Sequence, residues 1–381
     1  MNTLESFDRI VEKGIAAREM TCASYTVSVD GEVVCGNALG LADIVASRPL
    51  KESDLMRIAS MTKPLTCAAV LRARELGLLG LDDEVSRYLP GFEHMRTAEF
   101  DAEERMTGLH TTETPITVRM LLNHSSGLNS RLIPCRALVE AGPDATLASI
   151  VPRYAEHPLQ FEPGTKAAYG NLGFDVACRI VEIVSGMEYE QFLRKHILDP
   201  LGMADTTYAP NDEQRSRLAT MYFCKGGDPV PAQHKDMMLP HISSTFKAGG
   251  MRIFSTLTDY TRFAAMLCCG GVWRGTRVLE PESVRLMATQ SLPQALWGES
   301  ESWGLSVRVI HRQSWPEQPL PPGSFGWSGS YETHFFIIPE QRISAVLFKN
   351  IAGGLGAGSL TARDFEREVV SEFIRRKRQS A

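Results

Sequence analysis

The sequence predicts an α+β fold: one antiparallel β-sheet flanked by helices and built from both ends of the chain, with a mainly helical domain inserted between them. Three observations predict it. Alternating apolar and polar residues near the N-terminus return after residue 300, which marks strands at both ends. The stretch from about 90 to 245 reads as helices divided by loops rich in Gly, Pro, Ser and Asn. No internal repeat or low-complexity segment competes with that order. The expected division is therefore a sheet domain of 1–90 and 245–381, a helical domain of 91–244, and an active site at the seam.

The elements follow in order. After an opening helix, "SYTVSVDGEVVCGNALG" alternates around Asp30-Gly31, a two-residue hairpin signal. From Met61 to about Leu79 the pattern is helical, with Leu65, Ala68, Ala69, Val70 and Leu71 offering a buried face and Gly80 a stop. A second helix runs from Leu172 to Ser185, with Val176, Ala177, Ile180, Val181 and Val184 on one side, Asn171 as N-cap and Gly186 as terminator. Strands are expected at 303–310, 323–330 and 333–350, the last folding about Pro339 to Arg342. A final helix packs Phe365, Val369, Val370, Phe373 and Ile374 on one side.

Bulk properties exclude several functions. The 381 residues are 43% hydrophobic and 22% charged, and no apolar run approaches a membrane span. A net charge of -5 leaves no basic footprint for nucleic acid; the run Arg375 to Arg378 reads as a favourable helix end. The first twenty residues lack the apolar core of a secretory signal, so a cytoplasmic location is expected. Eight scattered cysteines are expected to be reduced thiols, and neither they nor the nine histidines show metal-ligand spacing. No metal or cofactor is expected, no membrane or nucleic-acid partner, and the oligomeric state is left open.

Three places could carry chemistry. Ser60 and Lys63 lie nearly one turn apart at a helix start, where a lysine of lowered pKa could activate a serine. The spacing alone is weak, because Ser244 and Lys247 repeat it ahead of a loop. Tyr169, with Gly170 and Asn171 before the second helix, could present its phenol to a pocket, or be a tyrosine beside a capping residue. Trp327-Ser328-Gly329-Ser330 introduces a strand whose N–H groups could bind an oxyanion, although Trp327 also suits a core.

Taken together and in this order, the Ser-x-x-Lys, the Tyr-x-Asn and the small-residue strand motif resemble the penicillin-recognising serine hydrolases. Closer likeness is to the class C β-lactamase-like branch and the family VIII carboxylesterases. "LMRIASMTKPLTCAAVL", "TVRMLLNHSSGL", "FEPGTKAAYGNLGFDVACRIVE", "PLGMADTTY" and "GGMRIFSTLTDYTRFAAML" extend it over most of residues 5–375. No Gly-x-Ser-x-Gly elbow occurs. The resemblance implies a β-lactamase/transpeptidase-like fold, Ser60 as nucleophile, Lys63 as its proton partner and Tyr169 as general base. It further implies an oxyanion hole from the N–H groups of Ser60 and Ser330, with Asn171, Trp327, Ser328 and Gly329 contacting substrate or Lys63. Lactamases of that superfamily carry Lys or His where this chain has Trp327, so small neutral esters are the expected substrates. Open alternatives are a D-amino-acid amidase or peptidase, a weak β-lactamase, an acyltransferase, and a non-catalytic binding or sensor protein. Glu332 reads as a solvated edge carboxylate that could attract an ammonium or hydroxyl on the acyl group.

Overall fold

A computed structural model describes residues 3–128, 144–224, 227–233, 245–292, 300–354 and 359–375. Its centre is an eight-stranded antiparallel sheet: β1 (Cys22–Val29), β2 (Glu32–Asp43), β3 (Arg48–Pro49), β4 (Glu301–Trp303), β5 (Arg308–Ile310), β6 (Phe325–Ser328), β7 (His334–Ile338) and β8 (Ile343–Lys349). The spatial order is β4-β5-β6-β7-β8-β1-β2-β3. The two ends of the chain meet where β8 pairs with β1, Tyr25 opposite Leu347 and Val27 opposite Ala345.

Side-chain alternation splits the sheet between two cores. Phe335, Ile337, Val346 and Phe348 face the larger core, which holds α2 (Thr62–Glu75), α3 (Leu172–Ser185) and α4 (Leu257–Cys268). Tyr25, Val27, Phe336, Ala345 and Leu347 face the other, under α1 (Thr3–Ala16) and α5 (Leu360–Val370). The sheet's central strands are thus covered on both sides, and α2, which follows Ser60 and carries Lys63 in its first turn, is buried along most of its length.

Several expectations need correction. The first long helix stops at Glu75, because Gly77 takes a left-handed φ of +72° and ends it before Gly80. The strand expected over 303–310 is two strands, β4 and β5, separated where Ser306 turns left-handed at φ +65°. The middle region also contains a β-hairpin, Arg96–Phe100 with Met106–Thr111, which helical reading overlooked. Its second strand is largely exposed, so no buried face imposes a period on the sequence. Among the described residues no helix is long and apolar enough to cross a membrane.

Candidate active site

Ser60 sits in a short 3-10 turn, Ala59–Met61, that feeds directly into α2. Ala59 holds a left-handed φ of +45°, a conformation costly for a residue with a Cβ, and it re-aims the chain just before the serine. The turn is held from several sides. Strand Met56–Arg57 pairs with Phe254–Ser255, the Ile58 N–H donates to the Ile253 carbonyl at 3.2 Å, and the Tyr260 hydroxyl donates to the Met61 carbonyl at 2.9 Å.

Lys63 is wholly buried and its ammonium donates three hydrogen bonds: to Ser60 Oγ at 3.1 Å, Asn171 Oδ1 at 2.6 Å and the Gly250 carbonyl at 2.8 Å. None of the three acceptors is a carboxylate. Burial pushes the Lys63 pKa down, opposed by the adjacent Tyr169 phenol and more weakly by Asp175. Asn171, expected as the N-cap of α3, makes no side-chain cap; the buried cation has taken its amide oxygen. Gly250 has no room for a side chain, since a Cβ would lie 2.6 Å from that same oxygen. The wholly buried Asp175 holds the neighbouring turn by accepting from the Gly249 N–H at 2.8 Å and the Tyr154 hydroxyl at 3.0 Å, and burial raises its pKa to about 7.

Tyr169 stands beside this pair with its ring 4.7 Å from Lys63 Nζ and 36% of its surface exposed, so it reaches solvent and is not packed into the interior. The indole N–H of Trp327 donates to its phenolic oxygen at 3.2 Å. Trp327 in turn meets the buried Trp303 edge-on at 4.4 Å. The phenol thus faces a neutral donor on the strand side and the ammonium on the helix side.

Strand β6 is brought against the serine turn by a glycine. A Cβ on Gly329 would lie 2.3 Å from the Ile58 carbonyl and 3.2 Å from Ala59 Cβ, so only glycine permits this approach. The Thr333 hydroxyl donates to that Ile58 carbonyl at 3.1 Å and ties the strand end to the turn. Ser328 differs from expectation: its hydroxyl is bonded to His334 Nδ1 at 2.7 Å and is buried with it. His334 Nε2 contacts Glu366 at 3.1 Å, which pairs with Arg308 at 2.7 Å and Arg363 at 2.9 Å; Arg308 also reaches Glu301 at 3.2 Å. Glu332 is no solvated carboxylate either, because it is buried and ion-paired with Lys349.

The structure therefore brings together Ser60, Lys63, Tyr169, Asn171, Trp327 and Gly329, and turns the Ser328 side chain toward a separate buried network. The competing Lys247 is occupied by Glu190 at 2.7 Å, and Ser244 lies outside the described residues. Sequence reading missed the Gly250 carbonyl and His124, whose imidazole ring lies 4.6 Å from that of Tyr169. A histidine within the Ser- and Gly-rich "NHSSGL" was the available signal.

A family model described as beta-lactamase matches residues 7–366. Protein Rv1367c of Mycobacterium tuberculosis is 32% identical, over 81% of this chain and 80% of that one. Esterase EstB of Burkholderia gladioli is 27% identical, over 93% and 92%. Among solved structures, EstCE1, described as a hydrolase with promiscuous acyltransferase activity, superposes with a TM-score of 0.80 at 25% identity, covering 96% of this chain and 98% of that one.

Proposed function

The chain belongs to the beta-lactamase family, and from that premise we propose that this serine hydrolase is a carboxylesterase that cleaves small neutral esters through an acyl-enzyme on Ser60. The observation that carries the reading is the contact of Ser60 Oγ with a buried lysine whose other partners are all neutral, beside a half-open tyrosine. In this scheme the Ser60 hydroxyl attacks the ester carbonyl and its proton passes to Tyr169, with Lys63 stabilising the phenolate. The N–H groups of Ser60 and Ser330 receive the oxyanion, each worth about 2.7–4 kcal/mol of transition-state stabilisation. Tyr169 returns the proton to the leaving alcohol, and water repeats the sequence to release the acid.

Neutral esters are favoured over penicillins because Trp327 offers an indole N–H where a cation would be needed to hold a substrate carboxylate. Acyl transfer shares the first half-reaction, and the description of EstCE1 keeps it as a second reading. We place the enzyme in the cytoplasm, in keeping with described cysteines that are all unpaired thiols.

A fluorophosphonate probe followed by peptide mapping tests this. The label is expected on the peptide bearing Ser60 and absent in Ser60→Ala, with hydrolysis of p-nitrophenyl butyrate lost alongside. Unlabelled Ser60 in active protein would refute the assignment. A competing alcohol that yields new ester would select transfer over hydrolysis.

A further inference from the structure

We propose that His124 is the positioning residue for Tyr169: it brackets the tyrosine in the chain and fixes the phenol between Lys63 and Trp327. The inference rests on the reading of Tyr169 as proton carrier.

His124 accepts hydrogen bonds from both neighbours of that tyrosine. Its carbonyl takes the Ala168 N–H at 3.0 Å, and its imidazole Nδ1 takes the Gly170 N–H at 3.3 Å. Residues 168 and 170 are therefore anchored to one amino acid, and the side chain between them has a fixed origin. The imidazole then packs against the tyrosine ring, with centroids 4.6 Å apart, and against Trp303 and Phe174 at 4.9 and 5.3 Å.

Local sequence does not favour this arrangement. His124 has a left-handed φ of +66°, rarely adopted by a residue with a Cβ. It follows a short helix, Val118–Leu122, and its loop is tied down by Asn123 Oδ1, which accepts from the Ser125 N–H at 3.1 Å and its hydroxyl at 2.7 Å. The strained turn lets one residue present carbonyl and side chain to the same strand of loop.

The Gly170 bond also fixes the tautomer: Nδ1 accepts, so the proton of the neutral ring is on Nε2. That atom is buried and has no hydrogen-bond partner among the described residues. Burial, helped by the Lys63 charge, keeps the ring neutral. A protonated ring would lose the Nδ1 acceptor and set a second cation beside Lys63. His124 therefore works as a fixed acceptor and takes no part in passing protons.

The test compares three variants of the full chain. Asn places an amide oxygen where Nδ1 lies and tolerates the left-handed backbone; Gln keeps polarity but moves the acceptor outward; Leu removes it. His124→Asn is expected to keep wild-type kcat within a few-fold. In His124→Gln and His124→Leu kcat for p-nitrophenyl butyrate should fall by about 10²-fold, the cost of roughly an ångström of misplacement, with KM little changed. With 3-fluorotyrosine at position 169, the 19F resonance should be single in wild type and His124→Asn, and broadened or split in His124→Gln. Should His124→Leu fail to fold, His124→Gln and the fluorine spectrum still decide. Equal kcat in His124→Asn and His124→Gln at matched thermal midpoints, or an unchanged fluorine line, overturns the proposal. The spectrum needs no turnover, so loss of the Ser60 reading, seen as hydrolysis surviving in Ser60→Ala, is told apart from loss of this one.

Discussion

Two buried polar clusters lie on opposite sides of β6, and they are built on opposite principles. Behind β6, Arg308, Arg363, His334, Glu366 and Glu301 satisfy one another: the cations meet carboxylates, and Arg308 holds Glu366 well below the usual carboxylate range. In front of it, Lys63 is equally buried but is offered a hydroxyl, an amide oxygen and a carbonyl. Compensated charge resists change, whereas a charge held only by neutral dipoles can give up its proton at modest cost. The ion pairs behind β6 hold the fold, and in the proposed mechanism the Lys63 cluster serves the chemistry.

The sharpest way to break this contrast is to remove one member from each cluster. Lys63→Met should lower kcat/KM for p-nitrophenyl butyrate by about 10⁴-fold, comparable to loss of a catalytic group elsewhere. Its thermal midpoint should stay or rise: a lysine whose folded pKa is depressed costs stability below its unfolded pKa, and methionine carries no such cost. Glu366→Ala should do the reverse. It leaves the buried Arg308 and the partly exposed Arg363 to share Glu301, leaves His334 without its carboxylate, and should cost about 3–5 kcal/mol of stability, read by chemical denaturation, while the folded fraction keeps most of its activity.

Asn171→Ala sharpens the contrast within the Lys63 cluster. One acceptor of the ammonium is lost, and activity should fall by about 10- to 100-fold, read as kcat with little change in melting. The smallest effect is at Asp175, whose pKa is raised to about 7 by burial. The sign follows from proton counting: between the unfolded pKa near 4 and about 7, only the folded state keeps the proton, so stability falls as pH rises through that window. Asp175→Asn cannot ionise, so its melting temperature relative to wild type should climb by a few degrees from pH 4 to pH 8.

Legibility in the sequence divides along similar lines. Asp30-Gly31 and the Leu172–Ser185 helix ending at a left-handed Gly186 were readable because turn chemistry and period are local. Asn171 does stand at the N-cap position, but its side chain does not cap, because it accepts from Lys63, 108 positions away. The order of the three motifs pointed to Ser60, Lys63 and Tyr169, which the fold brings side by side, and their resemblance to a known family supplied the roles proposed for them. Ser328 looked like a substrate contact until His334 and Glu366, visible only in three dimensions, claimed its hydroxyl. His124 had only its place in "NHSSGL" to mark it, because the bonds through which it acts run to Ala168 and Gly170, more than forty positions away.

The claim that Lys63 is the cation of lowered pKa that stabilises the Tyr169 phenolate in the proposed mechanism is tested most directly by site-resolved NMR titration. In protein labelled with 13C at lysine Cε, the resonance that disappears in Lys63→Met should titrate well below the ordinary lysine range, and kcat/KM should follow the same transition. A Lys63 that keeps its proton up to an ordinary lysine pKa, in protein still hydrolysing ester at neutral pH, would contradict the account.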